Sequence, residues 1–248
     1  MAIAIIFHGG LKALVSIPLT DDGVAVQDLD RKASVKDVIE ALGVPHTEIG
    51  KISTNGLDVS FGYPVNAMDR IDVYPLDPPV DFSKPSILRP ESLKDVRFLA
   101  DVNVGKLAIL LRMVGMDTAY QNIHSDAELA EISNIEKRIL LTKDTRLLRR
   151  NKVVYGHLVR EIAPRGQLIE VVHLFNLICR LSPFTRCLVC NNTLEPVEKE
   201  KIIHRLQPLT KRYYDTFYRC PGCDRIYWPG SHKKNMEEML RSIQPVCQ

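Results

Sequence analysis

Three aspartates and four cysteines hold most of the chemistry this sequence can offer. Asp101 ends the apolar run at residues 96–100, Asp144 lies just past a second apolar run at 138–142, and Asp126 stands at the start of a helical pattern. Both runs have strand length and composition. In an open α/β sheet the carboxyl ends of strands are where ligands and catalytic groups gather. Carboxylates brought together there repel one another unless a cation neutralises them. Oxygen-only ligands suit magnesium or manganese, and with such ions carboxylates can activate water for phosphodiester hydrolysis. Local roles are also open: Asp126 can complement a helix dipole, and Asp144 can cap the helix after it. The cysteines speak more plainly. Cys187-x-x-Cys190 and Cys220-x-x-Cys223 have the spacing of two knuckles around one tetrahedral zinc, a zinc ribbon whose closed shell is structural.

Cations surround both sets. Arg146, Arg149 and Arg150 follow Asp144, and Lys143 precedes it. Near the knuckles, Lys211, Arg212, Arg219, Arg225, His232 and Lys233 interleave with Tyr213, Tyr214, Tyr218, Tyr227 and Trp228. Aromatic rings can stack on unpaired bases while cations meet phosphates, so this pattern suits RNA; the other reading is that the rings pack on the ribbon and the charges are solvated. Arg112, also counted among the candidate RNA contacts, lies in an apolar helical run and needs a partner, which places it against an acid of the site or Asp117.

The elements that must position these residues follow from periodicity and stop signals. Residues 1–80 predict a small α+β unit: a hairpin of strands at residues 2–7 and 11–17 around His8-Gly9-Gly10, then a helix with Ser34 as N-cap and Gly43 as stop. Short strands follow near Asn55-Gly56 and at residues 70–74, which together resemble a ubiquitin-like β-grasp fold. Pro78, Pro79, Pro85 and Pro90, clustered in residues 76–90, mark a domain boundary and a semi-rigid linker placed at 81–94. An α/β domain is expected over 95–180 and the ribbon over 181–248. Within the former, Gly115 should stop the buried helix after Asp101, and Ser125 with Glu128 forms a capping box. Pro164-Arg165-Gly166 reads as a turn before a helix at 167–178.

Composition narrows the class without deciding it. The 248 residues are 45% hydrophobic and 25% charged with a net charge of +3, which permits a nucleic-acid partner and does not demand one. No apolar run reaches the length of a membrane span, and the N-terminus lacks the basic segment of a signal peptide. Six cysteines, four in C-x-x-C pairs, suit a reducing compartment, so a cytoplasmic protein is expected.

RFLADVNVGKLAILLRMVGMDT, DAELAEISNIEKRILLTKD, RCLVCN and RCPGCDRIYWPGSH together resemble the Mut-seven C-terminal RNase family. That resemblance implies a PIN-like nuclease domain with a zinc ribbon, preceded in some members by a ubiquitin-like domain. It implies catalytic aspartates at Asp101, Asp126 and Asp144 with bound magnesium or manganese, and Asp117 is the available candidate for a further acid. Lys143 stands where the family usually shows an arginine. The function implied is metal-dependent ribonuclease activity with RNA as partner; the alternatives are a catalytically inactive RNA-binding adaptor, or an assembly factor that recruits a protein through its β-grasp domain.

Overall fold

In this computed structural model the described residues are 2–20, 23–28 and 32–230. In chain order the first part holds β1 (Ala2–Phe7), β2 (Val24–Asp28), α1 (Val35–Ala41), β3 (Ile49–Thr54), β4 (Leu57–Asp58) and β5 (Arg70–Pro75). There follow β6 (Phe98–Ala100), α2 (Gly105–Met113), β7 (Thr118–Tyr120), α3 (Asp126–Ile135), β8 (Ile139–Thr142), α4 (Thr145–Leu148), β9 (Gly156–Leu158) and α5 (Pro164–Leu174). The chain then forms β10 (Glu195–Val197), α6 (Lys199–Ile202), α7 (Pro208–Tyr213), β11 (Phe217–Arg219) and β12 (Ile226–Tyr227). It divides into two compact units. One takes in Met1–Val104 and Tyr120–Arg160, the other Gly105–Ala119 and Glu161–Gln248.

The first unit opens with a mixed five-stranded sheet in the order β2-β1-β5-β3-β4. β1 pairs antiparallel with β2 and parallel with β5, and α1 connects β2 to β3, which is β-grasp topology. Alternation explains its core: Ile3, Ile5 and Phe7 of β1 and Ile71 and Val73 of β5 point inward against Val35, Val38 and Ile39 of α1. Ser34 and Asp37 cap α1 reciprocally, as the capping-box pattern requires. One expectation fails. Residues 11–17 are not a strand, because Gly9 adopts a left-handed φ of +53° and Gly9–Leu14 winds into a 3-10 turn that buries Leu11. The hairpin partner of β1 is β2.

Most of residues 81–94 are exposed, but Phe82, Leu88, Arg89 and Leu93 are buried and anchor the segment. Arg89 is buried and donates to the carbonyls of His46, Thr47 and Ile49, and its guanidinium lies 5.2 Å from the Phe82 ring centre. Burial lowers the Arg89 pKa to about 10, still far above neutrality.

The same unit contains three parallel strands, β6, β8 and β9, in neighbouring register. Phe98, Leu99, Ile139, Leu140 and Leu141 are almost wholly buried, the near-continuous apolar run of a parallel strand. Beside β9 lies the turn His46–Glu48 from the β-grasp sheet. Glu48 is 4% exposed; its Oε1 accepts from the Leu158 backbone at 2.8 Å and lies 3.2 Å from His157 Nδ1, while Oε2 accepts from Arg160 at 3.0 Å. His46 bridges the Glu40 carboxylate, at 2.6 Å, and the Val153 carbonyl, at 2.7 Å. Burial holds its pKa below the ordinary 6.5 despite Glu40.

The second unit packs α2 beside α5. Gly115, φ +89°, ends α2 where any Cβ would collide with the Ser182 carbonyl. α5 begins earlier than expected. Pro164 takes the first helical turn, where its missing N–H costs nothing, and Asn176 in the left-handed region (φ +47°) stops the chain before residue 178. β10, β11 and β12 form a small antiparallel sheet whose core is little more than Ile202, Leu206 and Phe217.

Candidate functional site

Two sites grow from this framework. In the first unit, parallel β6 and β8 end side by side, so Asp101 and Asp144 emerge at the same sheet edge. The Asp101 backbone N–H bonds to the Leu141 carbonyl at 3.0 Å, continuing the ladder. Its carboxylate is 6% exposed. Oδ1 accepts from the Val102 N–H at 2.5 Å; Oδ2 accepts from Asn103 Nδ2 at 2.5 Å and from Thr142 Oγ1 at 2.7 Å. Thr142 Oγ1 also accepts from the Asp144 N–H at 3.0 Å, and Asn103 Oδ1 from the Lys143 N–H at 3.0 Å. The Asp101 carboxylate is thereby linked through the Thr142 hydroxyl to the Asp144 backbone, and through the Asn103 amide to the Lys143 backbone. Asn103 and Thr142 escaped the sequence reading, although Asp-x-Asn and Thr-x-Asp each carried a signal.

The other acids have other partners. Asp144 caps α4, accepting from the Arg146 N–H at 2.7 Å. Asp126 is the first residue of α3, where Ser125 and Glu128 form the expected capping box, and its carboxylate lies 3.8 Å from the Arg150 guanidinium. Asp117, in the second unit, accepts from Asn191 Nδ2 at 2.9 Å and lies 3.7 Å from Arg186. Among the described residues, the group of three or more potential ligands whose donor atoms lie within 4.8 Å of one another is the four cysteines. Asp101, Asp126 and Asp144 do not converge that closely.

The cation set divides similarly. Lys143, Arg146 and Arg150 are exposed around α4, and Arg149 donates to the Glu40 carbonyl at 2.9 Å. Arg112 is buried at 3% exposure, and its guanidinium donates to the carbonyls of Thr118, Leu188 and Val189. Those bonds clamp the first cysteine knuckle to α2, so Arg112 holds structure where an RNA contact was expected. Lys211 is half-buried; Arg212 lies over the ring of Tyr213 at 5.4 Å, Arg225 is exposed, and Trp228 is 41% exposed. Arg219 pairs with Asp224 at 2.5 Å. His232 and Lys233 lie outside the described residues.

The second site is the cysteine cluster, built from two turns of one design. In each, the first cysteine's N–H bonds to the carbonyl five residues on: Cys187 to Asn192 at 2.8 Å and Cys220 to Arg225 at 2.9 Å. Each turn closes with a left-handed residue, Asn191 (φ +69°) and Asp224 (φ +60°), types that tolerate this conformation. Cys187 and Cys223 sulfurs lie 3.4 Å apart, Cys190 and Cys220 3.2 Å, all as free thiols. A tetrahedral metal with bonds of about 2.3 Å places sulfurs about 3.8 Å apart, so the donor set fits one ion with little adjustment. Burial disfavours the thiolate at all four, but hydrogen bonds led by Asn192 bring Cys190 down to about 6 and others, led by Tyr227, lower Cys187, while burial keeps Cys220 raised and Cys223 up at about 12.

A β-grasp module, a parallel sheet with acids at its strand ends and a four-cysteine cluster define an α/β protein with a potential metal site. The Mut7-C RNAse domain model matches residues 96–240 and the Mut7-C ubiquitin model residues 1–81. The chain belongs to the Mut7-C RNAse domain family. Among solved structures, the crystal structure of SAMP1 from Haloferax volcanii is similar at 17% identity and a TM-score of 0.25, covering 32% of this chain and 98% of that one. No curated protein matches the chain. Among the described residues, no helix is long and apolar enough to cross a membrane.

Proposed function

We propose that this protein is a divalent-metal-dependent ribonuclease that hydrolyses RNA phosphodiester bonds in the cytoplasm, with zinc in its ribbon. The observation that carries the reading is the Asp101–Thr142–Asp144 connection within a family defined as RNase. Two oxygen donors fixed at one sheet edge fit magnesium or manganese, which commonly take one or two protein carboxylates and complete their shell with water and phosphate. Asp101 and Asp144 would hold the ion, with Asp126 nearby through water. When bound, the ion neutralises phosphate charge and makes its water more acidic.

The chain's own residues do the rest. Asn103 and Thr142 hold the Asp101 carboxylate, and capping of α4 holds the Asp144 carboxylate at the next strand end. Lys143, Arg146 and Arg150 supply the field that draws an RNA backbone to that edge, and the exposed Arg212, Arg225 and Trp228 of the ribbon offer RNA contacts of their own. In this reading the chain divides into a β-grasp domain (1–80), a connecting segment (81–94), a PIN-like domain (95–180) and a ribbon (181–248).

The engagement of Asp126 with Arg150 favours one second reading, an RNA-binding protein without turnover. Single-turnover cleavage of a labelled RNA in manganese separates the two. Asp144→Asn should abolish metal-dependent cleavage while leaving RNA binding in EDTA intact. Equal cleavage by the variant would sink the ribonuclease reading.

A further inference from the structure

A shallow, open depression of about 570 Å³ lies beside the arginine turn that follows Asp144. One wall is α4 and its C-terminus, with Arg146 and Arg149; the other is α1 of the β-grasp sheet, with Asp37, Glu40 and the exposed Ala41. The walls are fixed to each other. Arg149 donates to the Glu40 carbonyl at 2.9 Å, Lys36 to Asn151 Oδ1 at 3.2 Å, and His46 joins Glu40 to the Val153 carbonyl. The buried Glu48 secures the same junction to β9. The β-grasp helix is thus a permanent side of a cleft that starts two residues from a candidate metal carboxylate.

The charges of the cleft are mixed, and that selects its ligand. A bare anion would meet Asp37 and Glu40 as well as the arginines. A nucleotide brings both signs: a phosphate for the Arg146 guanidinium, and ribose hydroxyls or base N–H groups as donors to carboxylates. A base pair hides its donor edge, whereas an unpaired nucleotide exposes it, and a ribose adds the 2′-hydroxyl that DNA lacks. We infer that α1 of the β-grasp domain and the Arg146 turn together form a subsite for one unpaired ribonucleotide of the substrate. The inference rests on the ribonuclease reading and gives the β-grasp domain a direct part in choosing RNA.

The test uses the full chain in EDTA, so that nothing is cut, with a fluorescein-labelled single-stranded RNA and the DNA of the same sequence as probes for anisotropy. Ala41→Lys should tighten RNA binding and Ala41→Glu weaken it, each about two- to threefold, the effect of one unit charge across a hydrated gap of roughly 8 Å. Arg146→Ala should weaken it about tenfold, as loss of a phosphate contact does. Asp37→Asn should narrow the preference for RNA over DNA. Leu57→Lys, on the exposed β3–β4 hairpin, controls for net charge and should leave the affinity unchanged. The inference is overturned if both Ala41 variants bind like the parent, or if Leu57→Lys tightens binding as much as Ala41→Lys. Should that happen while Asp144→Asn still abolishes cleavage, the subsite fails and the ribonuclease reading survives.

Discussion

The cysteine cluster and the aspartate edge are both metal-type sites, and they are assembled by opposite means. Each cysteine pair is closed by a turn a few residues long, and the two turns repeat one backbone pattern. All four sulfurs consequently converge within 4.8 Å. The aspartates come from a strand end, a helix start and a helix cap, and only Asp101 and Asp144 are tied together, through Thr142. A closed site holds its shape for the sake of the fold. An open one keeps lone pairs and exposure available to a ligand: the Asp126 side chain is 48% exposed and Asp144 is partly buried.

The comparison can be broken most directly at the ribbon. Structural zinc contributes about 10–16 kcal/mol to small domains that lack a core of their own, and Ile202, Leu206 and Phe217 are a slender core. Cys220→Ser should therefore unfold the ribbon, seen as lost zinc in elemental analysis and rapid proteolysis after residue 181. A variant that kept its zinc and its protease resistance would remove the distinction between the two sites. Next in size is a carboxylate in neither site. Glu48 is more buried than Asp101, and Glu48→Ala removes an acceptor from the Leu158 N–H and from the half-exposed Arg160. That should cost about 2–3 kcal/mol in denaturant unfolding, with RNA cleavage per folded molecule preserved. Loss of cleavage without loss of stability would make Glu48 part of the chemistry. Asp101→Asn should show the reverse pattern: about 1–2 kcal/mol of stability, from weakened bonds to Val102, Asn103 and Thr142, but no detectable cleavage.

This contrast explains what was legible in the sequence. The knuckles, the capping boxes at Ser34 and Ser125, the Asp144 cap and the Gly115 stop are local, set by residues within a turn of one another, and all were readable. So were the strands β1, β6 and β8, whose apolar runs stand alone. The strand expected at 11–17 was misread because an apolar run also suits a 3-10 turn with one buried face, and only Gly9 hinted at it. Arg112 was correctly expected to need partners, but backbone carbonyls of a knuckle far along the chain carry no side-chain signature. Glu48 was invisible for the same reason: its partners are a strand N–H, a histidine and an arginine over a hundred positions away. The shared sheet edge of Asp101 and Asp144 was expected from two apolar runs that each lead to an aspartate, whereas the Thr142 hydroxyl that links them is a contact spacing alone did not supply.

The smallest effect separates two acids of one helical turn. Glu128 accepts from the Ser125 N–H at 2.7 Å and from its hydroxyl at 2.8 Å, and these bonds, the backbone one foremost, hold its carboxyl below the ordinary 4.5. The charged form is thus preferred in the folded state. Its contribution is complete above pH 4.5 and disappears as the pH falls through the lower folded value, where both states bind the proton. Glu128→Gln should lower the unfolding temperature slightly at pH 7 and make no difference near pH 2.5, because the carboxyl is fully exposed and the bonds are screened by water. Asp126→Asn, two residues earlier, should leave that pH dependence untouched and instead reduce metal-dependent cleavage. If Glu128→Gln altered cleavage and Asp126→Asn altered only the acid limb of stability, the roles of the two acids would be exchanged, and the α3 contribution to the open site would be Glu128.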